Sequence, residues 1–210
     1  MQAVRLHAIL PEYQGRVRFR LRAFPLEVAD GEAAPRDILE QEWWLAALQE
    51  PSARFAPFRG DEWPTTTLPA FDAVWCATKQ NEALAHAYDL RIRQAFFAES
   101  RNIGRRDVLL TLAEEVGFDM QEFVRTFDSG VARVNVLEER RVGQEQYRVR
   151  GTPTLMLADG TRLRPPMAFP VMRERKVVAV GKLSCCGEGC LDATRALVEQ
   201  ALQARGSGQR

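Results

Sequence analysis

Three of the four cysteines lie within six residues near the C-terminus, and their spacing suits redox chemistry. Cys185 and Cys190 are separated by four residues, two of them glycines that let the chain fold back, so the two thiols could join in a short disulfide. Cys190 falls near the predicted start of the last helix, where backbone N–H groups favour a thiolate. Thiolates perform thiol–disulfide exchange, so this pair is a candidate catalytic site.

Two other interpretations of the cluster stay open. A structural zinc ion needs four ligands, and Cys186 adds only a third thiol, so His7, His86 or a second chain would have to complete the site. Three ordinary reduced thiols in a loop fit the pattern as well as a redox pair does. We predict no metal site, and we expect the fourth cysteine, Cys76, to be buried in an apolar helix.

A second candidate site is the segment Arg150–Thr154, which precedes an apolar run. Pro153 donates no backbone hydrogen bond and fixes its own φ, so Thr152 can offer its N–H and C=O groups to a ligand outside a sheet. Such a turn can hold an extended peptide or a thiol ligand. Thr152 and Pro153 are therefore candidate substrate-binding residues.

The elements that would position these groups follow from periodicity. Residues 16–23 alternate basic and apolar side chains, which predicts a strand with one solvated face. Asp37–Leu48 is predicted to be a helix, and helical spacing of apolar residues dominates from Phe71 to Arg148. A short strand after the proline turn, a strand at Lys176–Val180 and a helix beginning near Cys190 complete the pattern.

Helix ends are signalled by individual residues. Gly117 has the position of a left-handed C-cap, and Asp119 and Glu122 have the spacing of a capping box. The terminal helix is expected to carry Leu197, Val198, Ala201 and Leu202 inward. The last five residues, Gly206–Arg210, are predicted to be disordered.

Composition narrows the function classes. The 210 residues include 29 basic and 28 acidic side chains, so no overall field attracts nucleic acid or an anionic membrane. Arg5 and His7 interrupt the apolar stretch that a signal peptide would need, and no run approaches the length of a membrane span. We therefore expect a cytoplasmic protein without nucleic-acid or membrane partners.

The order and spacing of several short segments resemble the DsbA-like family, in particular its FrnE-like branch, which is close to the 2-hydroxychromene-2-carboxylate isomerases. These segments are Phe24–Glu27, Pro64–Ala70, Arg93–Phe97, Asp128–Gly130 and Arg150–Thr154. The resemblance covers nearly the whole chain. It implies an α/β thioredoxin-like fold with a large helical insertion, with the core at residues 1–70 and 149–210 and the insertion at residues 71–148.

The resemblance also implies thiol–disulfide exchange, with protein thiols, protein disulfides or glutathione as partners. Thr152 and Pro153, joined by a cis peptide bond, would hold the substrate backbone beside the attacked sulfur. No tightly bound cofactor is implied, although glutathione could serve as a co-substrate. A glutathione-dependent isomerase or transferase of the same fold and a non-catalytic peptide- or partner-binding module are the alternatives.

One family feature is absent from the sequence. In the DsbA-like family the chemistry belongs to a Cys-x-x-Cys pair at the start of the first helix, and this chain has no such pair. Met1–Tyr13 resembles the body of that helix, so the first strand and both cysteines would fall before Met1. We therefore expect impaired activity unless Cys185 or Cys190 substitutes. We also expect lowered stability and self-association, including a homodimer, because two strands would lack a partner.

Overall fold

The computed structural model describes residues 1–182, 185 and 188–207. Its helices are α1 (Gln2–Ile9), a 3-10 helix (Leu10–Tyr13), α2 (Glu27–Asp30), α3 (Arg36–Gln49), α4 (Leu68–Gln80), α5 (Glu82–Phe97), α6 (Arg106–Val116), α7 (Met120–Asp128), α8 (Val131–Glu145) and α9 (Glu188–Ser207). Its strands are β1 (Leu155–Met156), β2 (Arg162–Leu163), β3 (Pro170–Arg173) and β4 (Lys176–Val180). No helix in the described ranges is both long and apolar enough to cross a lipid bilayer.

The chain separates into two compact units. The first unit comprises residues 1–19, 37–54 and 152–210, and the second comprises residues 20–36 and 55–151. The first unit contains all four strands together with α1, most of α3 and α9. The second unit contains the helical bundle α4–α8.

Two helix ends in the bundle of the second unit lie where the sequence predicts them. Gly117 ends α6 with a φ of 96°, a conformation that glycine adopts without a steric penalty. Asp119 caps α7 by accepting a hydrogen bond from the backbone N–H of Glu122. These local contacts satisfy backbone groups that a helix end leaves unpaired.

Aromatic side chains fill the core of this bundle. Tyr88, Phe118 and Phe123 form a cluster with ring centroids 5.5 to 5.7 Å apart, and the Tyr88 and Phe123 side chains are fully buried. The hydroxyl of Tyr88 donates to the carbonyl oxygen of Leu109 at 2.8 Å, so its one polar atom is satisfied inside the core. This cluster joins α5, α6 and α7.

The first unit has a smaller apolar core in which α1 packs against α9. Ile9, Tyr13 and Val198 are buried together, and Leu6, Val17, Phe19, Leu191 and Leu202 pack against them. The predicted inward position of Val198 is therefore confirmed. This packing places the start of α9, and with it Cys190, beside the core rather than in a free tail.

Both sheets are two-stranded and antiparallel. The β1–β2 pair places Leu155 opposite Leu163, and the β3–β4 hairpin places Val171 opposite Ala179. The hairpin turns through Glu174 and Arg175, which both have a positive φ (48° and 62°). A two-residue loop needs this conformation in order to match the twist of the two strands. The strand predicted at Lys176–Val180 is confirmed.

The strand predicted at residues 16–23 is wrong. Residues 17–25 form no strand, although the exposure of residues 17–22 alternates along the chain as the sequence suggests. A strand requires a hydrogen-bonded neighbour, and in the described part of the chain the four strands pair only with each other. The predicted disordered tail is also partly wrong, because Gly206 and Ser207 belong to α9, and residues 208–210 lie outside the described residues.

Candidate functional site

Cys185 and Cys190 form a disulfide bond in the first unit. Their sulfur atoms are 2.05 Å apart and their Cα atoms 5.1 Å apart, so the pairing that the spacing suggests is present. Cys190 is the third residue of α9, whereas Cys185 precedes the helix. Cys186, the third thiol of the predicted cluster, lies outside the described residues.

The two sulfurs differ in their access to solvent. Cys190 is 1% exposed, and the hydroxyl of Thr194 donates to its carbonyl oxygen at 2.7 Å within α9. Cys185 is only partly buried, and its Sγ lies 4.0 Å from the carbonyl oxygen of Pro166. An external thiol would therefore reach Cys185 first. The first turn of α9 surrounds Cys190 with backbone N–H groups that favour negative charge.

A buried ion pair lies next to Cys185. Arg5 is fully buried, and its Nε is 2.6 Å from Oε2 of Glu50. Its other nitrogens donate to the carbonyl oxygens of Gln49 and Pro166, the second of which is the carbonyl near Cys185. The Arg5 guanidinium thus fixes the segment that the exposed sulfur contacts.

Hydrogen bonding keeps the Glu50 carboxylate ionised despite its burial. Burial acts to raise its pKa, but hydrogen bonds from Ser52 and Arg5 and the charge of Arg5 outweigh burial, so the pKa lies below its ordinary value. A charge-paired buried carboxylate of this kind is sensitive to the loss of its partner. The pair therefore ties α1 to the end of α3.

The proline turn belongs to the same unit. The peptide bond between Thr152 and Pro153 is cis, and Thr152 is exposed. Among the described residues, no hydrogen bond joins Thr152 or Pro153 to Cys185 or Cys190. The exposed Thr152 leaves a surface turn beside β1 that can receive a ligand from solvent.

Cys76 has the buried position that the sequence predicts. It is 1% exposed on α4, and burial, reinforced by the nearby charge of Asp72, raises the pKa of its thiol to about 12. Asp72 in turn pairs with Arg133 at 2.6 Å. A thiol with this pKa holds almost no thiolate at neutral pH, which makes Cys76 unreactive.

The histidines named for a zinc site lie on separate helices, His7 on α1 and His86 on α5. Within the described ranges, no three side chains of the metal-binding types come together. The buried Nδ1 of His7 has no hydrogen-bond partner in the part of the chain that is described.

Sequence reasoning missed the buried polar face of α1. Gln2, Arg5 and Ile9 lie on one side of this helix and are all buried. The side-chain amide of Gln2 has no hydrogen-bond partner among the described residues. The sequence did contain a signal for this face, because Arg5 lies one helical turn before the apolar Ile9. An arginine buried on such a face requires an acidic or carbonyl partner.

A model of the DSBA-like thioredoxin domain matches residues 2–177 of the chain. The uncharacterized protein YwbO of Bacillus subtilis (strain 168) is 33% identical over 96 residues, a stretch that makes up 46% of this chain and 46% of YwbO. The chain thus matches about half the length of this curated relative.

Two solved structures share the fold. The cytosolic disulfide reductase DsbM from Pseudomonas aeruginosa with GSH superposes with a TM-score of 0.70, and another structure of DsbM does so with a TM-score of 0.57. Both are 22% identical to this chain, and each match covers 96% of this chain and 92% of DsbM. The predicted α/β thioredoxin-like fold with a helical insertion is confirmed, and the chain belongs to the DSBA-like thioredoxin domain family.

Proposed function

We propose that this protein performs thiol–disulfide exchange and that Cys185 and Cys190 are its reacting pair. The observation that carries the proposal is the disulfide itself, with one sulfur accessible and the other buried at the start of a helix. Membership of the DSBA-like thioredoxin family supports it. The disulfide reductase named in the matching structure supports the same chemistry.

The first step follows from the unequal exposure of the two sulfurs. A partner thiolate attacks Sγ of Cys185, and the disulfide bond to Cys190 breaks. A mixed disulfide between the partner and Cys185 forms, while Cys190 leaves with the electron pair as a thiolate. The backbone N–H groups in the first turn of α9 stabilise this leaving group.

A second partner thiolate completes the reduction of the pair. It attacks the partner's sulfur in the mixed disulfide, Cys185 leaves as a thiolate, and Cys185 and Cys190 each take up a proton. The partner is then oxidised by two electrons to a disulfide, and the cysteine pair is reduced to two thiols. In the reverse direction, the reduced pair donates the same two electrons to a partner disulfide.

Glutathione and protein thiols or disulfides are the partners we propose. DsbM, which shares the fold, was solved with GSH. The exposed Thr152 and the adjacent Pro153 would hold the backbone of such a thiol ligand. DsbM is named as cytosolic, and in a similarly reducing compartment the pair would act as a reductant.

Mixed-disulfide trapping tests the proposal. In a Cys186→Ser background, Cys190→Ser leaves Cys185 with a free thiol, and we expect oxidised glutathione to add one glutathionyl group there. The converse Cys185→Ser leaves the buried Cys190 as the one thiol of the pair, and we expect an adduct rate lower by about tenfold or more because thiol access limits exchange. Intact-protein mass spectrometry measures both rates.

Cys76→Ser in the same background is the matched control, since it removes a buried thiol outside the pair and should leave both adduct rates unchanged. Circular dichroism checks that each variant is folded. A second measurement uses the natural chain, whose Cys185–Cys190 bond should open reversibly in glutathione buffers. Equal adduct rates at the two cysteines, or insulin reduction that survives serine at 185, 186 and 190, would contradict the proposal.

A further inference from the structure

The β3–β4 hairpin exposes an unusual amount of apolar surface. Five large apolar side chains between positions 169 and 180 are 36% to 59% exposed: Phe169, Val171, Met172, Val178 and Val180. Single exposed apolar residues are common, but a contiguous group of this size on one small element is typical of an interaction site. The hairpin takes no part in the proposed exchange chemistry.

Polar contacts at both ends fix the hairpin along α3. At its tip, Arg175 pairs with Asp37 at 2.7 Å, and the side chain of Gln41 bonds the backbone of Arg175 and Val177. At its base, the side-chain amide of Gln49 donates to the carbonyl of Ala168 and accepts from the N–H of the same residue. Because Gln41 and Gln49 are eight residues apart on one helix, the hairpin runs alongside α3.

Two further apolar residues of α3 extend this surface. Trp44 is 63% exposed and Leu48 is 75% exposed. With Asp37 and Gln41 they follow the helical spacing that places side chains on one stripe, so they continue the side of α3 that holds the hairpin. We call Trp44, Leu48 and residues 169–182 the docking surface.

The docking surface is also strongly basic. Its residues 169–182 contain four cationic side chains and one acidic one, whereas the whole chain is almost neutral. Arg173, Lys176 and Lys182 form no ion pair with any residue in the described part of the chain. Unpaired cations around apolar side chains complement a partner that carries acidic and apolar groups together.

The β4 strand shows this arrangement most clearly. The exposed Val178 and Val180 lie along the chain between the exposed Lys176 and Lys182, and a register shift opposite Val171 and Met172 interrupts the regular alternation of faces within β4. Two valines thus lie between two lysines, which are roughly 20 Å apart at the rise of an extended chain. Arg173 lies directly opposite Lys176 on the neighbouring strand and adds to the positive charge at that end.

We propose that the docking surface binds a protein segment with an apolar centre and acidic residues on both sides. The valines and Trp44 would bury its apolar centre, and the flanking lysines would pair with its carboxylates. This inference does not depend on the proposed exchange chemistry. A binding partner recruited here could be a substrate or a regulator of the same protein.

Two other occupants fit the surface less well. Two copies of β4 paired antiparallel with each other would place Lys176 near Lys182, and like charges in opposition are unfavourable. A membrane would be entered by an apolar hairpin tip, but here the tip is the charged run Arg173–Lys176 and is held on α3 by Asp37. The apolar groups lie in mid-strand, which suits a flat protein partner.

Fluorescence anisotropy tests this inference with a labelled peptide in which Ile-Tyr-Ile is flanked on each side by two glutamates. We expect saturable binding to the full chain that weakens as salt is raised. Val178→Asp should weaken it by about tenfold or more, because the new charge repels the peptide and removes apolar contact. Val178→Thr keeps the branched strand side chain and should weaken binding in the same direction but less.

Val134→Asp is the matched control, since Val134 is 68% exposed on α8 of the second unit and should leave binding unchanged. A peptide with lysines in place of the glutamates should not bind. Equal binding of both peptides, or equal loss in the two aspartate variants, would overturn the proposal. Binding of the protein to phosphatidylserine vesicles that the acidic peptide does not displace would also overturn it. So would a dimer, detected by light scattering, that becomes a monomer in Val178→Asp.

Discussion

The two units hold their cysteines in opposite environments. Cys76 of the second unit is enclosed in a helical bundle, where burial and Asp72 raise the pKa of its thiol to about 12. Cys185 of the first unit is partly exposed and bonded to Cys190 at the start of α9. Cys190 is as buried as Cys76, but it lies at a helix N-terminus and is bonded to a partly exposed cysteine.

The units also differ in where they place polar and apolar groups. The second unit is held by an aromatic core whose one buried hydroxyl, on Tyr88, is satisfied. The first unit buries the charges of Arg5 and Glu50 and exposes Trp44 and the hairpin valines.

The largest expected effect concerns alkylation of the thiols. With dithiothreitol reducing the pair, Cys185 should react with iodoacetamide at pH 8, while Cys76 should react roughly a thousandfold more slowly than an ordinary cysteine, since its pKa is about three units higher. Peptide mass spectrometry measures each site. The labelling rate of Cys76 should rise with pH up to about 12 as long as the protein stays folded. Fast labelling of Cys76 at pH 8 would contradict this prediction.

The next largest effect comes from the buried ion pair. Glu50→Gln leaves the charge of Arg5 buried without its carboxylate and should cost about 3–5 kcal/mol in the free energy of unfolding. Urea titration followed by circular dichroism measures this. Glu138→Gln on α8 removes a solvent-exposed partner of Arg141 and should change little, so equal effects would show that the Arg5 pair is not buried in solution.

The Glu50 pair should also make stability depend on pH. The folded pKa of Glu50 lies below its ordinary value, so its contribution is complete above the unfolded pKa near 4.5 and is lost as pH falls through the lower folded value. The difference between wild type and Glu50→Gln should therefore be constant at neutral pH and shrink in acid.

Reduction of the disulfide should have a smaller effect. The bond closes a short loop between cysteines five positions apart, and the chain-entropy estimate for such a loop is about 2 kcal/mol. Urea unfolding with and without dithiothreitol measures the loss. The same difference in the free energy of unfolding should persist in Cys76→Ser and vanish in Cys185→Ser. If dithiothreitol still destabilises Cys185→Ser, the effect does not come from this disulfide.

The smallest effect tests a local contact in the second unit. Asn81 caps α5 by accepting hydrogen bonds from the N–H groups of Ala83 and Leu84, so Asn81→Ala should cost about 1 kcal/mol. Asn81→Asp keeps the accepting oxygen and should retain most of the stability. If both variants lose the same amount in thermal unfolding, the cap does not stabilise the helix.

The sequence predicted correctly those features that depend on a few neighbouring residues. The left-handed cap at Gly117 and the cap at Asp119 were predicted because each depends on residues within one turn. The pairing of Cys185 with Cys190 was suggested for the same reason, as only four residues separate them. Their role in exchange and the role of Thr152 and Pro153 stay predictions.

Features that join distant segments were missed. Residues 16–23 alternate as a strand should, but alternation does not supply the neighbouring strand that a ladder requires. The β3–β4 hairpin is held on α3 by Gln41, which accepts a hydrogen bond from the N–H of Val177, 136 residues later in the chain. The sequence contains no local signal for that placement.

The sequence by itself determined most of the helical stretches, the caps at Gly117 and Asp119, and the closeness of Cys185 to Cys190, because each depends on backbone geometry over a few residues. Only the tertiary structure decided that Glu50 neutralises Arg5, that Gln41 and Gln49 hold the hairpin, and that one disulfide sulfur is buried. The physical reason is that burial and charge pairing depend on which distant segments meet, and hydrophobic periodicity identifies a buried face without identifying its partner.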